Sequence, residues 1–204
     1  MDGILVDSEP MHVETTRRIL GEYRITFTDE ENARYFGRTD AELFRDVVAQ
    51  HRLPVPVEEL VDRRIELVVK HTWEDPHPMD GVPDVLHALH VARYRLALAS
   101  SSGPPVIEAT LGALGVRPLF EVVVSGATVG RGKPAPDIFL ETARQLGLSP
   151  AACVVVEDSR NGLLAAKAAG MACVSIPCAS TSREDFGEAD YRCRTLRDLL
   201  PLLG

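Results

Sequence analysis

From about Arg95 onward, short β-branched runs alternate with helical patterns, the signature of βα units that build a parallel sheet. The strands this predicts are Leu96 to Ala99, Glu121 to Val124, Ala152 to Val156 and Ala172 to Ile176. Helices are predicted between them over Pro105 to Leu114, Asp137 to Leu146 and Asn161 to Ala169. A glycine follows each one (Gly115, Gly147, Gly170), where a left-handed residue closes a helix. The stretch from about His12 to Trp73 differs: Val57, Val61, Ile65 and Val68 fall on one helical face, charge is dense, and no strand pattern emerges. Asp75-Pro76-His77-Pro78 breaks that pattern and reads as a hinge. The expectation is an α/β core (1–11 and 76–204) interrupted near its start by an all-helical insert (12–75).

Composition adds limits. The chain has 204 residues, 45% hydrophobic and 25% charged, with 15 Gly and 14 Pro, an ordinary globular make-up able to bury a core. Lys+Arg 22 against Asp+Glu 30 gives −8, with no basic stripe, so nucleic acid and anionic membranes are not expected partners. An anionic small substrate would need a locally positive site. The cysteines, Cys153, Cys173, Cys178 and Cys193, show no CxxC spacing and read as reduced and structural. An acid at position 2 is unlike a signal peptide, and no apolar run approaches the roughly 18 residues of a membrane span. A cytoplasmic monomer or weak dimer is expected.

Ligands of open α/β sheets bind beyond the carboxyl ends of the strands, and several suspicious segments fall there. Val154-Val155-Val156-Glu157-Asp158-Ser159 ends a buried strand in two adjacent carboxylates. Such a pair repels itself unless a cation or helix N-termini face it, which suits Mg²⁺ with hard oxygen ligands; equally, Asp158 or Ser159 could simply cap the next helix. Ser100-Ser101-Ser102-Gly103 offers hydroxyls and free N–H groups to phosphate oxygens, or is a plain serine loop. Gly130-Arg131-Gly132-Lys133-Pro134-Ala135-Pro136-Asp137 puts a lysine just before a helix. It is no P-loop, because Ala127 and Pro134 occupy the places of the required Gly and Ser/Thr. It is no dinucleotide fingerprint either, since Pro134 and Pro136 block the helix start. Met1-Asp2-Gly3-Ile4-Leu5-Val6-Asp7-Ser8 contributes an Asp-Gly turn at the chain start.

Together the D-G-x-L-x-D-S turn, the strand-ending serine, the G-K-P-x-P-D-x-F segment and the E-D-S-x-x-G segment resemble the haloacid dehalogenase superfamily. The similar branch carries a helical cap and includes β-phosphoglucomutase and many small-molecule phosphatases. The resemblance implies a Rossmann-like parallel sheet with residues 12–75 as an inserted cap domain. It also implies Mg²⁺-dependent hydrolysis of a small phosphorylated metabolite, such as a sugar phosphate or phosphoglycolate, through an aspartyl-phosphate.

In that family a second aspartate, matched by Asp2, serves as general acid and base. Ser100 and donors around Ser101 would hold phosphoryl oxygens, Lys133 would offset charge, and Asp158, with Glu157 nearby and the Asp2 carbonyl, would hold Mg²⁺. The nucleophile belongs two residues before Asp2, on a first strand in the middle of the sheet. Both are expected upstream of Met1, within roughly ten further residues, and the chain from Met1 on is expected to be inactive by itself. Deleting that strand would leave unpaired backbone on its neighbours and an apolar gap.

A catalytically dead relative that only binds phosphorylated ligands is the rival from another class. Dehalogenases of the superfamily lack the second aspartate, which Asp2 supplies. Against a β-phosphoglucomutase-type mutase, Asp40 stands where the clamping arginine belongs, although Arg38 could substitute. His12 could face the core–cap junction and touch substrate, or be an ordinary first-turn residue. The other histidines form no zinc pattern.

Overall fold

The computed structural model describes residues 1–35 and 39–203. The chain divides into two compact units, Met1–Asp7 with Pro76–Gly204, and Ser8–Asp75.

The second unit is all helical: α1 (Glu9–Glu22), α2 (Asp29–Arg34), α3 (Asp40–His51) and α4 (Val57–Glu74). Its start signals are local chemistry. Thr28 with Glu31, and Thr39 with Glu42, form reciprocal capping boxes that satisfy otherwise orphan amides at the starts of α2 and α3. Ile19, Leu20, Phe27, Leu43, Phe44, Val47 and Leu60 make its core. On α4 the deepest row is Leu60, Arg64, Val68 and Thr72, while Val57, Val61 and Ile65 are only half-buried beside it. A hydrophobic count misses this row because two members are polar. Arg64 is buried by pairing with Asp40 and donating to Thr16 Oγ1 at 3.1 Å, and Thr72 bonds back to the Val68 carbonyl at 2.8 Å.

The first unit carries five strands, β1 (Leu96–Ser100), β2 (Phe120–Ser125), β3 (Val154–Glu157), β4 (Ala172–Ser175) and β5 (Tyr191–Arg192). Its helices are α5 (Asp84–Val91), α6 (Pro104–Ala113), α7 (Asp137–Leu146), α8 (Arg160–Ala168) and a last turn, α9 (Leu200–Leu203). Every ladder is parallel, as βα alternation requires. The four strands expected from the pattern are present, shifted by a residue or two; the third begins later because Pro150–Ala152 forms a tight turn. Gly115, Gly147 and Gly170 do close their helices, with φ of 67°, 67° and 74°. Three elements left no pattern: β5, whose two residues are both exposed, α5 and the last turn, α9.

The ladders come in two pieces, β1–β2 and β3–β4–β5. Two apolar clusters go with them, one around Leu98, Ile107 and Leu111 and the other around Val155, Ile138 and Leu163. Cys173 is fully buried, and all four cysteines are free thiols. Among the described residues no helix is long and apolar enough to cross a membrane.

Candidate active site

The chain start folds as a tight turn: the Leu5 amide donates to the Met1 carbonyl at 2.7 Å and the Gly3 amide to the Val6 carbonyl at 2.9 Å. That turn lies against the carboxyl ends of both β1 and β3. On the β1 side, the Ser102 hydroxyl donates to Asp2 Oδ2 at 3.0 Å. On the β3 side, Gly3 faces Asp158 so closely that a Cβ there would stand 2.2 Å from Asp158 Oδ2. With φ at +68° as well, the position suits only glycine, and its bare backbone lets the Asp158 carboxylate approach Asp2's own segment.

Beyond β1 the backbone curls so that the Ser102 amide donates to Ser100 Oγ at 3.2 Å, while Ser125 Oγ, at the end of β2, donates to the Ser102 carbonyl at 2.7 Å. Ser100 is buried and Ser101 exposed. Gly126 permits the fold, because a Cβ there would meet Ser101 Cα at 3.0 Å. The serine run therefore presents a fixed hydroxyl, that of Ser102, to Asp2.

At the end of β3, Lys133 reaches over from the Lys-Pro-Ala-Pro turn and ion-pairs with Glu157. Both side chains are nearly out of water, 13% and 8% exposed. Ser159 Oγ donates to the other Glu157 oxygen at 3.1 Å and accepts from the Gly162 amide at 3.1 Å, so it caps α8 and steadies Glu157 together. Gly162 makes the room, since a Cβ there would sit 2.0 Å from the Glu157 carboxyl carbon. Burial pushes Glu157 up, but the Lys133 charge and hydrogen bond outweigh it and hold the carboxyl below its ordinary value. Asp158 is not compensated by a lysine in this way. Burial, and next the negative charge of Glu157, push it up to about 6, while the Met1 ammonium and then the Cys178 thiol, 3.4 Å from Oδ2, offset a little.

A buried carboxylate that resists ionisation, set against the segment of a second acid, is the donor chemistry that Mg²⁺ uses: hard oxygens, one or two carboxylates, and waters or phosphate oxygens for the rest. The Asp2 carbonyl and the Asp158 carboxylate fit that demand. Glu157 fits it less well, because both its oxygens are engaged by Lys133 and Ser159. Among the described residues, no three His, Cys, Asp or Glu side chains gather into a cage of their own.

A family model described as haloacid dehalogenase-like hydrolase matches residues 1–176. The chain belongs to this family. It is 34% identical over 98% of its length to the probable pseudouridine-5'-phosphatase of Drosophila melanogaster, covering 89% of that protein. It is 32% identical over 86% of its length to the fructose-1-phosphate phosphatase of Escherichia coli, covering 93% of it. Its fold matches crystalline CbbY from Rhodobacter sphaeroides in complex with phosphate at a TM-score of 0.87, with 28% identity, over 98% of this chain and 93% of that one. As a family member it is a hydrolase of the phosphatase type, built as an α/β Rossmann-like core with a helical cap.

The structure places Asp2, Ser100, Ser101, Lys133, Glu157 and Asp158 in one unit, at the ends of β1 and β3. His12 lies in α1 of the helical unit, where its carbonyl accepts from Thr16 Oγ1 at 2.9 Å. Arg38 falls outside the described residues. Sequence reasoning overlooked Ser102 as the side chain that touches Asp2, although it sits in the serine run, and Cys178 beside Asp158, which no motif marks. It treated Ser159 only as a cap; the structure gives that residue the cap and Glu157 together.

Proposed function

We propose that this protein hydrolyses a small phosphate monoester with Mg²⁺, through an aspartyl-phosphate formed on the position immediately before Met1. The observation that supports this reading most is the convergence of Asp2, Ser102, Lys133–Glu157 and Asp158 at the ends of two parallel strands. In the first step the aspartate oxygen bonds to phosphorus, the ester P–O bond breaks, and Asp2 gives its proton to the departing alkoxide. In the second, Asp2 takes a proton from water, the water oxygen bonds to phosphorus, and the aspartyl–phosphorus bond breaks to release phosphate. The Ser102 hydroxyl orients the Asp2 carboxyl for both transfers. Lys133, fixed by Glu157, offsets negative charge on the phosphoryl group, and amides around Ser100 and Ser101 hold its oxygens. The Asp2 carbonyl and the Asp158 carboxylate would hold Mg²⁺, which would supply charge stabilisation for the phosphoryl oxygens.

A phosphatase is favoured over a mutase because Asp40, at the place of the phosphate-clamping arginine, is ion-paired with Arg64. An acid so engaged does not clamp a second phosphate. The test is a panel of phosphomonoesters, including hexose phosphates, pseudouridine 5'-phosphate and phosphoglycolate. It is run on the chain as it stands and on a chain carrying an aspartate on an N-terminal extension, with Mg²⁺ and with chelator. Phosphate release by the extended chain only, with Mg²⁺ only, and its loss in Asp2→Asn, is expected. Binding of phosphorylated ligands without release by either form would establish a binding protein instead, and a strict requirement for a sugar bisphosphate would establish a mutase.

A further inference from the structure

Past the end of β4 the chain turns back toward the acid that follows β3. The Ile176 amide donates to the Glu157 carbonyl at 2.8 Å, so the pairing of the two strands runs on to the residue before Asp158. Cys178 then lies against the Asp158 carboxylate, its Sγ 3.4 Å from Oδ2. The sulfur is itself held in place. Ser180 Oγ stands 3.0 Å and Thr181 Oγ1 3.4 Å from it, and Thr181 Oγ1 also accepts from the Cys178 amide at 3.1 Å. Thr181 is buried, and its carbonyl accepts from the Glu184 amide at 2.9 Å. The Glu184 carboxylate in turn accepts from the Arg160 amide at 2.5 Å, at the start of α8. The segment from Cys178 to Glu184 is thus a clip, fastened at one end to Asp158 and at the other to the helix that follows Asp158.

The clip acts on one oxygen of the acid. A thiol has a single proton, and once that proton goes to Oδ2 the sulfur lone pairs are left to accept from the Ser180 hydroxyl. The same Oδ2 is the atom nearest to where a Gly3 Cβ would stand, so the turn at the chain start presses on it from another side. Which cation a carboxylate suits depends on whether one or both of its oxygens bind. Ca²⁺ takes about six to eight oxygens in flexible geometry and accepts both oxygens of one carboxylate, whereas Mg²⁺ demands near-ideal octahedral angles that so narrow a bite spoils.

We infer that Cys178 is a positioning residue for the cation site, tying down Asp158 Oδ2 so that the acid offers a cation Oδ1 alone and the site prefers Mg²⁺ to Ca²⁺. The inference rests on the proposed function for the existence of a Mg²⁺ site and goes beyond it in naming the residue that sets the preference. A thiol suits the task, since as a weak donor it fixes the oxygen without adding a positive charge that would repel the cation.

The test is binding of Mg²⁺ and of Ca²⁺ to the parent chain, to Cys178→Ala and to Cys178→Ser, read by calorimetry and by the rise in melting temperature at one fixed pH with reductant present. Cys178→Ala is expected to bind Mg²⁺ about 10-fold more weakly, as loss of a hydrogen bond to a metal-binding side chain does, while Ca²⁺ binding holds or tightens. Its preference for Mg²⁺ over Ca²⁺ therefore falls by about 10-fold or more. Cys178→Ser, which keeps a hydroxyl donor, is expected to stay within about 3-fold of the parent preference. Equal weakening of both cations in Cys178→Ala would mean a thiol that only packs, and it overturns the inference. A serine variant no different from the alanine one, or a parent that prefers Ca²⁺, overturns it too. A parent to which neither cation binds removes the Mg²⁺ site of the proposed function and the inference with it. A parent that binds Mg²⁺ while Cys178→Ala keeps the same preference removes the inference alone.

Discussion

Removing the Lys133 ammonium should uncover how much the site depends on one buried ion pair. In Lys133→Met the apolar stem is kept, while the ammonium, which lies 4.9 Å from the centroid of the Phe139 ring, goes. What is lost is the cation bonded to Glu157, whose side chain is 8% exposed. Breaking a buried pair by deleting one partner costs about 3–5 kcal/mol. Ser159 still donates to Glu157 at 3.1 Å, so the lower end, about 3 kcal/mol, is expected, or a Tm lower by about 6–12 °C for a chain of this size. The pH dependence supplies the sign. In the parent, Glu157 is held below its ordinary value near 4.5, so its contribution is present above that value and is lost as pH falls through the lower folded value. In the variant, burial acts unopposed by Lys133 and raises the carboxyl, so the penalty grows as pH rises above about 4.5 and fades in acid. Urea titrations at pH 7 and pH 4 should therefore show a wide gap between parent and variant at pH 7 and a narrow one at pH 4. Adding Glu157→Gln to Lys133→Met should recover more than half the loss at pH 7. A cost below about 1 kcal/mol at pH 7, or no recovery in the double variant, refutes the reasoning.

Further outcomes follow from the same contacts. Gly162→Ala should destabilise by about 2 kcal/mol in urea titration, against the roughly 1 kcal/mol gain that helix propensity gives, because its Cβ would stand 2.0 Å from the Glu157 carboxyl carbon. Asp158, raised to about 6, stabilises the fold below its ordinary value of 3.8 and ceases to as pH rises through 6. In chelator, Asp158→Asn should thus raise stability at pH 7 by about 2 kcal/mol and flatten the profile between pH 4 and 7, while abolishing any stabilisation by added Mg²⁺. In a chain active in phosphate release, Ser102→Ala should lower kcat about 10-fold and shift its pH profile, with Asp2→Asn losing at least 100-fold. Thr39→Ala should lower helical-unit stability by about 1 kcal/mol through its capping box, read by thermal melting.

Much of the site was legible because its chemistry is local. Glu157, Asp158 and Ser159 adjoin one another at a strand end, and the glycines and prolines around Lys133 mark a turn whatever lies nearby. The partnerships were not legible. Two adjacent acids read as one cation site, yet they face different ways: Glu157 to Lys133, 24 residues away, and Asp158 to Gly3. Of the three serines, the one that reaches Asp2 is chosen by how the backbone curls after β1, with Ser125 and Gly126 holding the curl. Arg64 escaped as a buried residue because its partners, Asp40 and Thr16, lie on other helices.

The sequence by itself determined the βα alternation, the glycine helix stops and the family, since each follows from residues a few positions apart whose conformational preferences act before any packing. Tertiary structure alone decided which edges of β1 and β3 face one cavity, that the turn at Asp2–Gly3 closes the ends of both strands, and that Lys133 neutralises Glu157 while burial keeps Asp158 raised. Those facts depend on groups far apart in the chain meeting out of water, where a charge without a partner is costly and a strand edge without a neighbour is incomplete.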